Sequence, residues 1–439
     1  MSIDYYEVQD TLYVRDGLKV KRAKNRQTGS NCLLKLVRRS HFDSDRLFRH
    51  HADLLVSEFE RQSQLAPEFV WPARRISREA QYTCKHGKTC AAAYLELDWC
   101  EKGTFFSLQA AFQKPLDEVL ARTYFHQLVE ALAYCHQQRV IHWNLMSESL
   151  LLDDSFRLHL ADFRGPEKMH RKDAETPPEA LYGEVQSGAA VDVFCLGYVL
   201  FSWVFFEPPF SRAERTNLHY SKLIEDNQKF WSRGHKDLNV SATLKGLLAS
   251  LLAFDPTQRP TISEIKSHPW YQDKLLSSED LLTTVQSRFQ AAQLKQTKSV
   301  PKANRFTIAT GNLYRDLPDS SCSWSGSEGS LNSYAALPCY HSSGWKFSQL
   351  FISLSPELLW SSAQAVLRNQ LYVVDLQTQS FKLKAEQVTD TSKIAFTLHL
   401  LDCGEGRYCL DFTQEAGLSF DFLQFFTDFA RLAEESWQG

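Results

Sequence analysis

Residues 142–151 constrain the fold of this chain more than any other stretch. They read His-Trp-Asn-Leu-Met-Ser-Glu-Ser-Leu-Leu. Over residues 116–138, just before them, apolar side chains recur at helical spacing, which predicts a long amphipathic helix leading into a polar loop. Two short motifs follow: residues 161–164 read Ala-Asp-Phe-Arg and residues 176–179 read Thr-Pro-Pro-Glu. Any fold assignment has to explain this order of helix, loop and two motifs.

Taken together, these motifs resemble those of the protein kinase superfamily. The loop matches the catalytic loop His-Arg-Asp-Leu-Lys-Pro-Glu-Asn-Leu-Leu at His142, Leu145, Glu148, Leu150 and Leu151. Residues 161–164 stand where Asp-Phe-Gly is expected, and residues 176–179 where Ala-Pro-Glu is expected. The resemblance implies an α+β, bilobal kinase-like domain over residues 1–275. Its β-rich N-lobe would cover residues 1–97, and its α-helical C-lobe residues 98–275.

The residues that carry kinase chemistry are replaced. Asn144 stands at the position of the catalytic base, and an amide does not take up a proton at neutral pH; general-base assistance is worth roughly 100- to 10,000-fold. Met146 stands at the lysine position, which removes a positive charge from beside the transferred phosphoryl group. Ser149 replaces the metal-binding asparagine with a shorter, weaker ligand, while Asp162 keeps the other metal position. The sequence predicts impaired phosphoryl transfer.

The nucleotide-binding motifs are altered as well. Residues 32–35 resemble Val-Ala-Ile-Lys, which sets the glycine-rich loop at residues 12–20. Its three glycine positions are occupied by Tyr13, Arg15 and Leu18, and Gly17 is one place out of register. Side chains at those positions block the approach of backbone amides to phosphates. Leu33, in place of the small alanine that packs against adenine, should intrude into the pocket.

A hinge-like segment, residues 94–103, contains the remaining ATP-site positions. The resemblance makes Leu97 the gatekeeper and assigns Asp98 and Cys100, together with Lys35 and Glu58, to a residual nucleotide site. Because the glycine loop is lost, the sequence predicts no cofactor, with ATP and Mg²⁺ expected only if residual activity exists. For Lys35 and Glu58, an ion pair between a strand and a helix is favoured over an ATP contact.

Other retained residues have structural roles in kinases. These are His142, Phe163, Glu179, Asp192 and Arg259. The resemblance implies that Glu179 meets Arg259 and that Asp192 braces the backbone of the catalytic-like loop. Arg164 replaces the glycine of Asp-Phe-Gly, and its guanidinium either pairs with Asp162 or Glu58 in the metal site or points to solvent. Trp143 replaces an arginine that would pair with a phosphate, or is a core aromatic; a neutral indole gives no such pairing.

Composition excludes several classes of function. The chain has 439 residues, enough for two or three domains, and its net charge of −3 argues against nucleic-acid and membrane-surface binding. No apolar run approaches the roughly 20 residues that span a bilayer. Ten scattered cysteines are typical of reduced thiols in the nucleus or cytoplasm. Near Cys84 and Cys90 a hairpin turn is favoured over a zinc site. A basic ribbon over residues 19–26 is either a solvated strand face, which is favoured, or an anionic-partner surface.

The region after the kinase-like domain has two parts. Residues 276–344 are Ser/Gly-rich and predict a flexible linker. Residues 345–439 predict a strand, a helix opening at Ser355, strands at 370–375, 381–385, 394–401 and 408–412, and a final helix at 420–434. This order resembles the kinase-associated (KA1-like) domain of the checkpoint kinase 1 group, which belongs to the CAMK-type serine/threonine kinases. Seven Lys/Arg against twelve Asp/Glu in this part disfavour lipid binding.

Two main functional hypotheses result. The first is a catalytically impaired, checkpoint-kinase-like pseudokinase that acts as a scaffold or regulator in cell-cycle or DNA-damage signalling. Its partners would be proteins, such as its own KA1-like domain or an active kinase. The alternative is an active or weakly active ATP-dependent serine/threonine kinase. A third reading, a metabolite site in the cleft, depends on how far Leu33 and Arg164 fill it.

Overall fold

The computed structural model describes residues 3–298 except 16, 84–86, 88, 113, 167–174, 211, 226–229 and 232–239; further on it describes 307–311, 346–352, 359–360, 363–364, 366–367, 373–377, 382–388, 393–404, 407–416, 425 and 429. The chain divides into two compact units. The first comprises Met1–Val8 and Gly17–Phe289, and the second comprises Gln9–Asp16 and Gln290–Gly439.

The N-lobe is a five-stranded sheet with one long helix. Its strands are β1 (Tyr6–Arg15), β2 (Leu18–Asn25), β3 (Asn31–Arg38), β4 (Ala73–Thr83) and β5 (Thr89–Asp98), in the order β1-β2-β3-β5-β4. Helix α1 (Asp45–Gln62) follows β3. It begins after Ser44, whose hydroxyl accepts a hydrogen bond from the Leu47 amide and so satisfies one of the free N–H groups of the first turn.

Both faces of β3 are covered, and therefore seven of its eight residues are buried. On one face, Leu34 and Leu36 pack in a cluster that includes Ile3 and Tyr6 from the start of the chain. The Tyr6 hydroxyl also donates a 2.6 Å hydrogen bond to the buried carboxylate of Glu96. Since side chains alternate along a strand, Lys35 points to the opposite face.

The C-lobe is mainly helical. Its helices are α2 (Phe105–Phe112), α3 (Glu118–Gln137), α4 (Pro178–Leu181), α5 (Gly188–Phe205), α6 (Leu218–Glu225), α7 (Ala242–Leu251) and α8 (Ile262–Ser267); a two-stranded hairpin is formed by β6 (Leu150–Leu152) and β7 (Leu158–Leu160). Helix α3 lies where the apolar spacing predicts it. The α+β character, with a sheet in the N-lobe and helices in the C-lobe, agrees with the fold that the sequence motifs imply.

Helix α5 corrects the expectation about apolar runs. Among the described residues it is the one helix long and apolar enough to cross a membrane, by length and composition. Its apolar window, however, is 83% buried inside the fold, as in a core helix. It is apolar on all sides because α3 and α7 both pack against it.

The expected linker is structured at its beginning. Helix α9 (Ser278–Lys298) follows the C-lobe, and Leu281 and Val285 are buried in its first half. The first unit therefore extends to Phe289, beyond the boundary at 275 that the sequence suggests. The apolar spacing of Leu281 and Val285, one helical turn apart, is the signal that the Ser/Gly-rich composition of the following residues concealed.

The second unit contains a six-stranded sheet. Its strands are β8 (Thr307–Gly311), β9 (Lys346–Ile352), β10 (Val373–Gln377), β11 (Lys382–Val388), β12 (Lys393–Gly404) and β13 (Arg407–Ala416), in the order β10-β11-β12-β13-β9-β8 with antiparallel neighbours. Strands β10 to β13 overlap the four strands predicted at 370–375, 381–385, 394–401 and 408–412. Strand β8 lies inside the expected linker. The predicted helix opening at Ser355 and most of the predicted helix at 420–434 lie outside the described residues.

Aromatic rings form the core of this unit. Phe396 of β12 and Phe412 of β13 lie with their ring centroids 5.7 Å apart. Phe425 stacks on Phe396 at 4.5 Å, and Phe429 contacts Phe412 at 4.8 Å. Phe396, Phe412 and Phe429 have no solvent exposure, so one face of the sheet is buried where Phe425 and Phe429 pack on it.

Candidate functional site

The catalytic-like loop is held by one buried carboxylate. Asp192 of α5 has no solvent exposure and accepts hydrogen bonds from the backbone amides of His142 and Trp143, both at 2.9 Å, and from His136 Nε2 at 2.8 Å. Trp143 has a left-handed backbone, with φ of 61°. The contact between Asp192 and the loop backbone that the resemblance implied is present. It fixes the backbone position from which Asn144 and the residues after it extend.

Lys35 links the two lobes. Its ammonium lies 2.5 Å from Glu58 Oε1 on α1 and 2.7 Å from Asp162 Oδ1 in the C-lobe. Burial lowers the pKa of Lys35, but the carboxylates of Asp162 and Glu58 more than offset this, so its pKa lies above the usual value. Burial raises the pKa of Glu58 to about 7, although Lys35 opposes the shift. Lys35 therefore makes the expected ion pair with Glu58 and adds a second one with Asp162.

Asp162 is surrounded by donors on both of its carboxylate oxygens. Besides Lys35 at Oδ1, the amide nitrogen Nδ2 of Asn144 donates to Oδ2 at 2.6 Å, and Arg164 approaches Oδ2 at 3.2 Å. Burial would raise the pKa of Asp162, but Lys35 and Arg164 together hold it well below its usual range. Of the two expectations for Arg164, pairing in the metal position is the one realised.

The second metal position is also engaged within the chain. Ser149 Oγ donates to the Met146 carbonyl at 2.8 Å and accepts from the Met146 amide at 3.1 Å. Met146 thus contributes its backbone to a local turn. A divalent cation prefers several oxygen ligands in an open arrangement. At Asp162 it would face an ammonium and a guanidinium instead, so these residues do not fit Mg²⁺.

On the adenine side of the cleft, side chains from β2, β3 and β5 lie next to one another. Leu33 is 7% exposed and lies opposite Leu97 on β5 and Arg22 on β2. The Arg22 guanidinium stacks over the Trp99 indole, 4.8 Å from its centroid. This contact joins β2 to the hinge segment. The sequence analysis placed Arg22 in a basic ribbon. Val20 lies opposite Lys35, and Arg22 follows two residues later on the same face of β2, so strand alternation was the signal that places Arg22 on the cleft face.

The hinge positions make contacts within the protein. The Asp98 carbonyl accepts a 2.9 Å hydrogen bond from the Trp71 indole, and its carboxylate binds Arg74 at 2.7 Å. The Cys100 thiol contacts the carbonyls of Gly103 and Leu152, each at 3.3 Å. Burial raises the pKa of Cys100 to about 12, so it remains a neutral thiol. Nothing in the motifs pointed to Trp71.

Gly17 serves a turn between β1 and β2. Its φ is +79°, and a Cβ there would lie 2.6 Å from the Phe42 ring. The glycine is therefore explained by backbone conformation and by packing on Phe42. The side chains of Tyr13 and Arg15, at two of the glycine positions, lie outside the described side chains. Their backbone belongs to strand β1.

Trp143 packs against the end of the activation segment and the start of α5. It joins Val185 around a buried pair, Ala180 and Val191. A Cβ on Gly188 would lie 2.6 Å from the Trp143 ring. The core-aromatic reading of Trp143 thus has direct support, whereas residues 167–174 of the activation segment are outside the described part of the chain.

Structural pairs of the C-lobe are formed as the resemblance implied. Arg259 and Glu179 make two hydrogen bonds of 2.7 Å and are almost completely buried. His142 is fully buried against the Phe163 ring at 4.4 Å, and burial lowers its pKa to about 4. Because the Arg259–Glu179 pair is bidentate and desolvated, removing either of these two residues would leave an uncompensated charge.

Two other features singled out in the sequence are the basic ribbon at residues 19–26 and the region of Cys84 and Cys90. The basic ribbon is not one face: Lys21 is 9% exposed, whereas Lys24 and Arg26 are exposed. At the β4–β5 turn, Cys84 lies outside the described residues and Cys90 lies near the Ser40 hydroxyl. No cluster of three or more metal-ligating side chains occurs within the described part of the chain.

Comparison with known proteins follows this geometry. The family model described as "Protein kinase domain" matches residues 17–271. Serine/threonine protein kinase OSK3 from Oryza sativa is 27% identical over 284 residues, which cover 62% of this chain and 51% of that relative. Human SNF-related serine/threonine-protein kinase is 32% identical over 189 residues, covering 41% of this chain and 24% of the relative.

The chain spans about half the length of the first of these curated relatives. The rye carbon catabolite-derepressing protein kinase is 28% identical over 193 residues, 42% of this chain and 36% of the relative. Because the family model covers more than half of its 439 residues, the chain belongs to the protein kinase domain family and has serine/threonine kinases among its homologues.

Proposed function

We propose that this chain is a catalytically impaired member of the family, a pseudokinase that acts as a scaffold or regulator through protein contacts. The observation that carries the proposal is the state of Asp162. Members of the family normally use ATP and Mg²⁺, whereas here Lys35, Asn144 and Arg164 donate to the carboxylate that would bind the metal. At the base position, Asn144 is itself one of these donors and has no basic atom to offer a substrate hydroxyl.

The nucleotide side supports the same proposal. Leu33 on β3 and Leu97 on β5 are paired neighbours in the sheet, and the Arg22 side chain reaches from β2 to the Trp99 ring at the hinge. Adenine needs a flat, apolar slot between the sheet and the C-lobe. Here an aliphatic side chain and a stacked guanidinium narrow that slot, so we infer that no nucleotide cofactor is required. This also argues against a metabolite of adenine size in the cleft.

The alternative is an active or weakly active serine/threonine kinase, and its support is the retained framework. Lys35 pairs with Glu58, and Glu179 pairs with Arg259. The relatives are named as serine/threonine kinases. These ion pairs also stabilise the fold, however, so their retention does not by itself indicate activity.

A phosphotransfer assay separates the two readings. The full chain is incubated with ATP and Mg²⁺ or Mn²⁺ and a generic protein substrate, beside a Lys35→Met variant that controls for contaminating kinases. The proposal expects equal background from both proteins. A signal in the wild-type chain that disappears in Lys35→Met would establish the active alternative.

The more specific part of the proposal is a checkpoint-kinase-like role in cell-cycle or DNA-damage signalling, in the nucleus or cytoplasm. Its support is the position of strands β10 to β13, which overlap the four strand segments predicted by the resemblance to a KA1-like domain. Charge suggests its partner within the chain. Residues 1–97 carry seventeen Lys/Arg against twelve Asp/Glu, and residues 345–439 carry seven against twelve. Opposite charges of this kind favour docking of one region on the other.

Cross-linking mass spectrometry on the full chain tests the intramolecular partner. Lysine- and carboxylate-directed cross-links between residues 1–97 and 345–439 are expected at low salt. They should decrease at high salt, where the Debye length shortens to about 3 Å at 1 M. Cross-links that occur only between separate molecules, or none at either salt concentration, would contradict intramolecular docking and favour a second protein, such as an active kinase.

A further inference from the structure

We propose that Arg164 is a built-in counter-ion that holds helix α1 in its paired position without nucleotide or metal. The inference rests on the proposed function, because it concerns the same cleft, and extends it to regulation. The four residues Glu58, Lys35, Asp162 and Arg164 are called the clamp below. In this chain the clamp would keep the kinase-like domain in one conformation, so its protein-binding surfaces would not depend on ATP.

The clamp is a continuous series of ion pairs between the lobes. Arg164 contacts Asp162 at 3.2 Å, Asp162 contacts Lys35 at 2.7 Å, and Lys35 contacts Glu58 at 2.5 Å. The series thus runs from the C-lobe through β3 to α1. The four side chains are 6–25% exposed. Water screens such contacts little, so their geometry is strongly preferred over open arrangements.

Charge balance shows why Arg164 matters. When Glu58 is ionised, Glu58 and Asp162 bring two negative charges to the clamp, and Lys35 alone brings one positive charge. Arg164 supplies the second, and it also lowers the pKa of Glu58, which burial and Asp162 raise. In a kinase with glycine at this place, a bound metal ion would supply positive charge beside Asp162. Here the side chain does so permanently.

The position of Arg164 is fixed at its backbone as well. Its amide donates to the His142 carbonyl at 3.1 Å, in the loop that Asp192 braces. The far end of the clamp is fixed on α1. There Leu55 is buried near Glu58, and the Gln62 side chain donates to the Trp71 carbonyl at 2.5 Å. Both ends of the clamp are therefore anchored, and Arg164 acts on α1 through Asp162 and Lys35.

Hydrogen–deuterium exchange on the full chain tests the clamp. Exchange is compared between α1 (Asp45–Gln62) and the distant α7 (Ala242–Leu251), in EDTA and in Mg·ATP. Wild-type α1 should exchange at the same rate in both buffers. In Arg164→Gln, α1 should exchange roughly ten- to a hundredfold faster, as for loss of a hydrogen bond between charged groups, with α7 unchanged. Arg164→Lys keeps the charge and should remain closer to wild type.

A matched control uses another arginine in an ion pair. Arg157 contacts Glu68 at 3.1 Å, but both side chains are about half exposed. Arg157→Gln should leave exchange in α1 unchanged, since exposed pairs contribute little. If Arg164→Gln does not fold, the Arg164→Lys variant and the two buffers with wild type still test the proposal.

Two results would overturn the clamp: α1 exchange in Arg164→Gln equal to wild type, or greater protection of wild-type α1 in Mg·ATP. The proposed function is tested by a separate measurement, the phosphotransfer assay. Unchanged exchange together with absent phosphotransfer rejects only the clamp. Wild-type phosphotransfer rejects the proposed function whatever α1 does.

Discussion

At Asn144 the identity of one atom decides the direction of a hydrogen bond. The outer atoms of an aspartate both accept hydrogen bonds. Asn144 presents Nδ2 instead, which donates to Asp162 Oδ2 at 2.6 Å and to the Asp162 carbonyl at 3.1 Å. One substitution therefore removes a base and adds a donor to the neighbouring carboxylate. The two changes reinforce each other in the proposal of impaired catalysis.

Restoring the aspartate alone should therefore destabilise the protein rather than reactivate it. Asn144→Asp replaces a donor by a second negative charge beside Asp162, with an expected loss of about 2–3 kcal/mol in the free energy of unfolding. Urea denaturation of the full chain measures this. Asn144→Ala, which removes the donor without adding charge, is the control and should lose less. Equal stability of Asn144→Asp and wild type, with phosphotransfer gained, would refute this reading.

His142 predicts a specific dependence of stability on pH. Burial lowers its pKa to about 4 in the folded chain, whereas an unfolded histidine titrates near about 6.5. Between these values the unfolded state binds the extra proton, so stability is present above pH 6.5 and is lost as the pH falls to 4. The total contribution is about 3 kcal/mol.

The comparison with His142→Gln isolates this effect from other titrating groups. The difference in unfolding free energy between wild type and variant, measured by urea denaturation, should shrink as pH falls from 7 to 4.5. Burial also lowers the pKa values of His126 and His268, but both are retained in the variant and cancel in the difference. A difference that stays constant across this range would show that His142 is protonated equally in both states.

Among the elements, the start of α5 is shaped by Trp143. The indole occupies the space beside Gly188, the first residue of the helix, and packs with the end of the activation segment. In kinases that position holds an arginine, so the segment here is tied to α5 by an apolar contact. The contact depends on a glycine that no motif marks.

Gly188→Ala should destabilise the chain by about 1–3 kcal/mol, because a Cβ 2.6 Å from the indole forces the ring out of its packed position. Thermal or urea unfolding measures the change. Gly246→Ala is the matched control: apart from the backbone of its own helix α7 and its chain neighbours, no atom lies within 4 Å of the added Cβ, so a gain of about 0.5–1 kcal/mol is expected. The pair Gly188→Ala with Trp143→Phe should recover part of the loss. If both alanines raise stability, the packing account of Trp143 is wrong.

For the whole molecule, sequence motifs predicted the pairs whose partners both belong to known motifs. Lys35 with Glu58 and Glu179 with Arg259 are of this kind, since the motif spacing encodes the contact. Contacts outside the motifs were only partly predictable. Strand alternation places Arg22 on the cleft face, but its stack on Trp99 also depends on the path of the hinge, which composition and spacing do not specify.

Domain boundaries show the same division at larger scale. Strand periodicity located β10 to β13 within a few residues, because alternation is a local signal. Helix α9 and strand β8 fall within a segment that composition assigned to a linker. Serine and glycine content averaged over about seventy residues conceals a helix at the start of the segment and a short strand within it, so the local spacing of apolar residues is the better guide there.

Thermal-shift titration of the full chain with ATP, with and without Mg²⁺ or Mn²⁺, tests the central claim most directly. A ligand that binds only the folded state raises the melting temperature once its concentration passes the dissociation constant. Since Leu33 and Arg22 narrow the nucleotide slot and the donors around Asp162 oppose a metal ion, the account predicts no shift at millimolar nucleotide with either metal. A metal-dependent rise in the melting temperature would contradict it.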